Sequence, residues 1–153
     1  MKLDRRLTAK KLQPATARFL ELTARKIYDL DRKWDPAKGT PVFTWKGRYT
    51  TRGWTEWTQG FQYGCAILQY DMTGDRRFFD IGREKTVSHM APHVSHIGVH
   101  DHGFNNLSTY GNLRRLMLEG VLPHDPRELD FYELAIKLSG AVQAARWTET
   151  AYG

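Results

Sequence analysis

The chain has 153 residues, 12% of them aromatic, with 23 Lys and Arg against 17 Asp and Glu and a net charge of +6. That aromatic content excludes a disordered segment, and the length suits one domain of about 100–200 residues. No apolar run approaches the ~18–20 residues of a membrane span, and the lone Cys65 excludes an internal disulfide or a multi-cysteine zinc site.

The opening MKLDRRLTAKKLQPA is basic but leads into no apolar segment, so it does not read as a secretory signal. Pro14 suits a first helical turn, and Phe19, Leu20, Ile27 and Leu30 follow near one helical face. Residues 31–53 carry two Pro and three Gly without helical period and read as an irregular loop, with VFTWKGRYT (42–50) as the only candidate hairpin piece. From Trp54 to Met72 helix returns, with Trp57, Phe61, Cys65, Leu68 and Met72 stepping by three or four residues. Spacing of this kind makes a buried face, with Cys65 an inert core thiol.

Gly74 is expected to end that helix and Asp75 to cap the next, from about Arg76 to Met90, with Phe78, Phe79 and Val87 as its apolar material. Pro92 and Gly98 then break the pattern, and residues 96–103 read as a loop. A further helix carries Leu107, Tyr110, Leu113, Met117 and Leu118 and stops near Gly120. The strongest start signal is Asp125-Pro126, with Glu128 at capping-box spacing, ahead of Leu129, Tyr132 and Ile136. The fold class is therefore all-α: one domain over 1–153, built of consecutive helical hairpins. The echo of Asp75 with Phe78-Phe79 in Asp125 with Phe131-Tyr132 suggests repeated units, and an odd helix count suggests an N-terminal piece of a longer array.

Chemistry-bearing residues concentrate between His89 and Phe104, which hold five of the six histidines. On an unbroken helix His89, His93, His96 and His100 would share a face, a spacing that suits a transition metal, but Pro92 and Gly98 interrupt it. No metal is assigned. Asp101, between His100 and His102 in a Gly-bounded loop, is the candidate general acid. It could equally cap a helix starting near Asn105, as could Asn105 and Asn106 themselves. Trp54, Trp57 and Phe61, beside Gly60 and Gly64, could form a stacking platform for a sugar ring; the alternative is that Trp57 and Phe61 are core and the glycines serve helix packing.

Taken in order, WTQGFQYG (57–64), the MTGD turn (72–75) with its Phe pair, and VHDHGF (99–104) resemble the unsaturated glucuronyl hydrolases, glycoside hydrolase family 88. The resemblance spans residues 54–120. It implies the N-terminal part of an (α/α)6 barrel and an enzyme that removes an unsaturated uronic acid from the non-reducing end of oligosaccharides left by polysaccharide lyases. The reaction implied is hydration of the C4=C5 vinyl ether, without metal or organic cofactor. Asp101 then matches the acid and base, and His100 and Trp57 match positions lining the substrate subsite, with Phe61 and Trp54 beside them. The family pattern has a second essential aspartate that no residue here matches, and its barrel needs six hairpins. The resemblance thus implies that the remaining barrel lies C-terminal to this chain and that the chain alone is inactive.

The related unsaturated rhamnogalacturonyl hydrolases share the fold, but their acidic motif is not visible here. The non-enzyme alternative is a basic, Trp-rich module that binds polyanions, since a basic surface favours nucleic acid, anionic membrane or acidic glycans. The expected partner under the family reading is an unsaturated uronyl oligosaccharide, with neither nucleic acid nor membrane. A reduced Cys65 and the absence of a signal point to the cytoplasm, or to the periplasm after removal of an export signal.

Overall fold

The computed structural model describes residues 6–53 and 57–152. The chain divides into two compact units, one reaching Trp34 and the other starting at Asp35. The first is helix α1, Ala9–Lys33, capped by Thr8, whose hydroxyl accepts the Lys11 N–H. Pro14 lies inside this helix rather than in its first turn, because Thr8 supplies a better cap upstream. No residue of α1 is buried, and Phe19 is largely exposed.

The second unit opens with a short 3-10 turn, Pro36–Lys38, and an antiparallel hairpin of β1 (Thr40–Trp45) and β2 (Arg48–Arg52). The chain is mostly helical, as expected, and the hairpin falls on the candidate piece 42–50, so 31–53 is not all irregular loop. Lys46 and Gly47 both hold positive φ, 48° and 74°, the geometry of a two-residue type I′ turn whose twist suits paired strands. A register shift between Pro41 and Thr44 lets the Thr50 hydroxyl bond the Phe43 backbone. Buried Thr40 and Pro41 anchor the hairpin, and β1 packs against the next helix.

The rest is helical. Helix α2 (Thr58–Thr73) turns at Gly74, whose φ of 70° favours glycine, into α3 (Arg76–His89), capped by Asp75 as expected. A short α4 (Ala91–Ser95) leads to turns over 96–102. The following helix is two-part: a π-helical segment, Gly103–Gly111, then α5 (Asn112–Leu118), closed at Gly120. Asp125 caps α6 (Pro126–Ala144) by accepting the Arg127 and Glu128 N–H groups. Glu128 does not reach back to complete a capping box. Its carboxylate takes Arg83 of α3 and the Tyr132 hydroxyl, tying the first hairpin to the last helix.

The core lies between these helices and is built from Tyr63, Ile67, Phe79, Met90, Tyr110, Leu113, Leu116 and Tyr132. Arg115–Asp71 and Arg114–Glu133 fasten α5 to α2 and α6 at half-exposed sites, where such pairs are each worth about 0–1 kcal/mol. Among the described residues, no helix is long and apolar enough to cross a membrane.

Candidate active site

Helix α2 packs on its smallest residues. Gly60 and Gly64 face the π-helical segment so closely that a Cβ on Gly60 would lie 2.4 Å from Asn105 Cα and from the Phe104 carbonyl oxygen, and one on Gly64 2.5 Å from the Ser108 carbonyl oxygen. Trp57, the N-cap of α2, offers no side-chain cap. The N–H of Gly60, one of the first-turn donors that a helix leaves without partner, is taken instead by Asn105 Oδ1 at 3.0 Å. Glycine contact thus brings two backbones together, and one asparagine fixes their register.

The consequence corrects the expected buried face. Trp57, Phe61, Cys65, Leu68 and Met72 turn outward, while Gly60, Tyr63, Gly64 and Ile67 turn inward. Large side chains cannot enter a contact that depends on backbone proximity. Cys65 is therefore not a core thiol, although partial desolvation still pushes its pKa up.

Trp57 and Phe61 meet Phe104 in an exposed aromatic triangle. Trp57 and Phe61 are edge to face at 5.4 Å between centroids, and Phe104 lies 5.7 Å from Trp57 and 5.6 Å from Phe61. All three keep substantial exposure, from 39% to 51%, so the patch presents rings to an incoming ligand. Trp54 lies outside the described residues. Phe104 was not singled out as a site residue from sequence, although it is the last residue of VHDHGF.

Asp101 precedes this patch by one helical winding, its carbonyl accepting the Asn105 N–H at 3.2 Å. Its carboxylate is mostly covered, and Oδ1 lies 3.5 Å from Nε2 of the exposed His100. Asp101 stands at the start of the winding through its carbonyl, but its carboxylate makes no capping bond and reaches only His100. Asn105 and Asn106 are not caps either; both are buried inside the π-helical segment.

A buried polar chain holds the 96–102 turn in place. His102 Nε2–H donates to the His96 carbonyl at 2.7 Å, which leaves Nδ1 to accept from the Ser139 hydroxyl at 2.8 Å. Ser139 Oγ accepts in turn from Asn106 Nδ2 at 3.0 Å, and Asn106 Nδ2 also reaches the His93 carbonyl. The loop bearing His100 and Asp101 is thereby fixed to α6 and α4. Nothing in sequence linked His102 to Ser139, which stand 37 positions apart.

Among the described residues the histidines do not share one face. The helix ends at Ser95, in line with the break read at Pro92 and Gly98, and His93 meets Gln59 while His89 lies against the Tyr63 ring. Among the described residues, no group of three His, Cys, Asp or Glu side chains is placed to hold a metal ion.

Burial lowers the His93 pKa to about 4, with the charges of His96 and His102 acting in the same direction. The unfolded chain takes up this proton near pH 6.5 and the folded chain only near 4, so stability from this group is full above 6.5 and is lost as pH falls to about 4. Urea unfolding should therefore lose about 2 kcal/mol between pH 7 and 4.5. In His93→Gln, which keeps a donor for Gln59 but cannot titrate, that loss should vanish; an unchanged pH profile would refute the assignment. Carboxylates with lowered pKa, such as Asp75 and Glu133, lose their contribution in the more acidic range below their ordinary values.

The site thus consists of an outward aromatic patch, a mostly covered carboxylate one winding away with an imidazole beside it, and a buried polar chain beneath both. The chain was compared with family models, with curated proteins and with solved structures, and none of the three comparisons finds a match.

Proposed function

We propose that the chain carries the first part of a glycoside hydrolase that acts on unsaturated uronic acid at the non-reducing end of acidic oligosaccharides. The observation that carries this reading is the exposed Trp57–Phe61–Phe104 triangle one winding from the Asp101–His100 pair. An exposed cluster of rings, any one of which can stack on a sugar, near a carboxyl group is what a sugar ring and its proton transfer require.

Protonated Asp101 delivers its proton to C4 of the double bond, and positive charge develops at C5, shared by the ring oxygen. Water adds at C5 and returns a proton to the Asp101 carboxylate, so the acid is restored and one water is consumed. The resulting hemiketal opens to a C5 ketone, and the hemiacetal left at C1 expels the remaining saccharide as an alcohol. His100, exposed beside the carboxylate, offers an N–H to the sugar's polar groups. The triangle holds the ring.

The finer architecture belongs to the same proposal. Hairpin α2–α3 and the pair formed by α5 with its π-helical lead and α6 are taken as consecutive units of an (α/α)6 toroid, completed by later hairpins that bring the second carboxylate. The outward Leu68, Met72, Leu107 and Leu118 support this reading, because further hairpins would cover them. The test is loss of ultraviolet absorbance from an unsaturated uronyl disaccharide, using the longest gene product that contains this chain. Turnover is expected, with Trp57→Ala raising KM about tenfold at nearly constant kcat, as loss of a stacking contact should. Absence of turnover across sulfated and unsulfated substrates would overturn the proposal.

A further inference from the structure

Between Pro36 and Thr55 the chain carries Lys38, Lys46, Arg48 and Arg52 and no acidic residue. Most of this stretch is the β1–β2 hairpin, which projects from its buried foot at Thr40 and Pro41. Among the described residues, none of the four cations has an ion-pair partner, whereas elsewhere in the chain Arg76, Arg77, Arg83, Arg114 and Arg115 are all paired. Trp45 is directly opposite Arg48, so the two share a face, and strand alternation puts Arg52 on that face as well. Trp45 is 67% exposed and Phe43 54%, so both rings are accessible to a ligand.

We infer that this hairpin is a docking surface for the body of an acidic, uronic acid-containing polysaccharide chain, with Trp45 stacking on a sugar ring and Arg48 and Arg52 binding its acidic groups. Two observations point to this occupant. The face combines unpaired guanidinium groups, which bind carboxylate or sulfate in a fork, with an exposed indole. The foot of the hairpin packs on α2, the helix that carries Trp57 and Phe61, so a chain whose end sits on the aromatic triangle has a basic surface to follow. The choice of polymer rests on the proposed function; the existence of an anion-binding face does not.

The probe is a chondroitin sulfate octasaccharide with a saturated non-reducing end, which the proposed reaction cannot consume, titrated at several salt concentrations. Arg48→Ala/Arg52→Ala should weaken its binding about tenfold and reduce the salt dependence by one to two ions. Arg48→Lys/Arg52→Lys should keep most of the affinity, and Trp45→Ala should lose about fivefold without changing the salt dependence. Equal binding by wild type and the Ala pair would overturn the inference, as would equal losses in the Ala and Lys pairs. A dT12 oligonucleotide bound more tightly than the octasaccharide and released by the same Ala pair would also overturn it, and would assign the face to nucleic acid. If the unsaturated disaccharide is not consumed but octasaccharide binding is lost in the Ala pair, the proposed function fails and the hairpin site stands. If the disaccharide is consumed and the Ala pair binds normally, the reverse holds.

Discussion

Gly60→Ala is expected to cost about 4 kcal/mol and to lower the Tm by roughly 12 °C. The added methyl would meet Asn105 Cα and the Phe104 carbonyl at 2.4 Å, and both are backbone atoms that no rotamer change can move. Helix α2 and the π-helical segment must therefore separate. Separation also breaks the Gly60 N–H to Asn105 Oδ1 bond and leaves a fully buried amide without its donor. The same displacement would pull Phe104 from Trp57 and Phe61, so sugar binding should fall with stability. Gly140→Ala is the control, since a Cβ there meets nothing within 4 Å and the position lies inside α6; it should stabilise by about 0.5–1 kcal/mol. Thermal unfolding of both variants checks this, and a Gly60→Ala protein as stable as wild type would refute the close packing.

Under the proposed function, Asp101→Asn should reduce kcat about 10²–10⁴-fold while leaving the fold intact. A carboxamide has the shape of the carboxylic acid but can neither release a proton to C4 nor accept one from water. The fold should survive because the Asp101 carboxylate makes no capping bond, and its neighbour His100 is an exposed side chain. The surrounding turn is held by His102, Ser139 and Asn106, none of which uses the Asp101 side chain. A large fall in kcat with an unchanged unfolding curve is therefore the expected pair of results. A large fall accompanied by unfolding would give Asp101 a structural role instead.

The parts of the fold that depend on local chemistry were legible in the residues. Asp75 and Asp125 cap their helices through their own side chains, and Gly74 and Gly120 adopt the positive φ that ends a helix. What was not legible depends on contacts distant in sequence. Spacing alone assigns Trp57, Phe61 and Leu68 to a buried face, because large apolar side chains usually provide burial. Here the backbone approach at Gly60 and Gly64 decides which side turns inward. The hairpin at 42–50 was legible only as a candidate, because Lys46 stands where asparagine or glycine would signal positive φ. The π-helical winding over Gly103–Gly111 changes which residues face the core, and so buries Asn105 and Asn106, which read as caps. Within the candidate site, Asp101, His100, Trp57 and Phe61 were visible as residues. Their supports, Asn105 on Gly60 and Ser139 on His102, lie 45 and 37 positions away and carry no local signature.

The proposed function makes this chain the source of the acid and the sugar-binding rings of an unsaturated uronyl hydrolase. It is tested most directly by following the absorbance of the conjugated double bond in an unsaturated uronyl disaccharide, with wild type and Asp101→Asn in parallel, each in the longest gene product containing this chain. Decay with the wild type and none with the variant is the result expected. Equal decay with both would remove Asp101 from the role, and no decay with either, across sulfated and unsulfated substrates, would contradict the hydrolase itself.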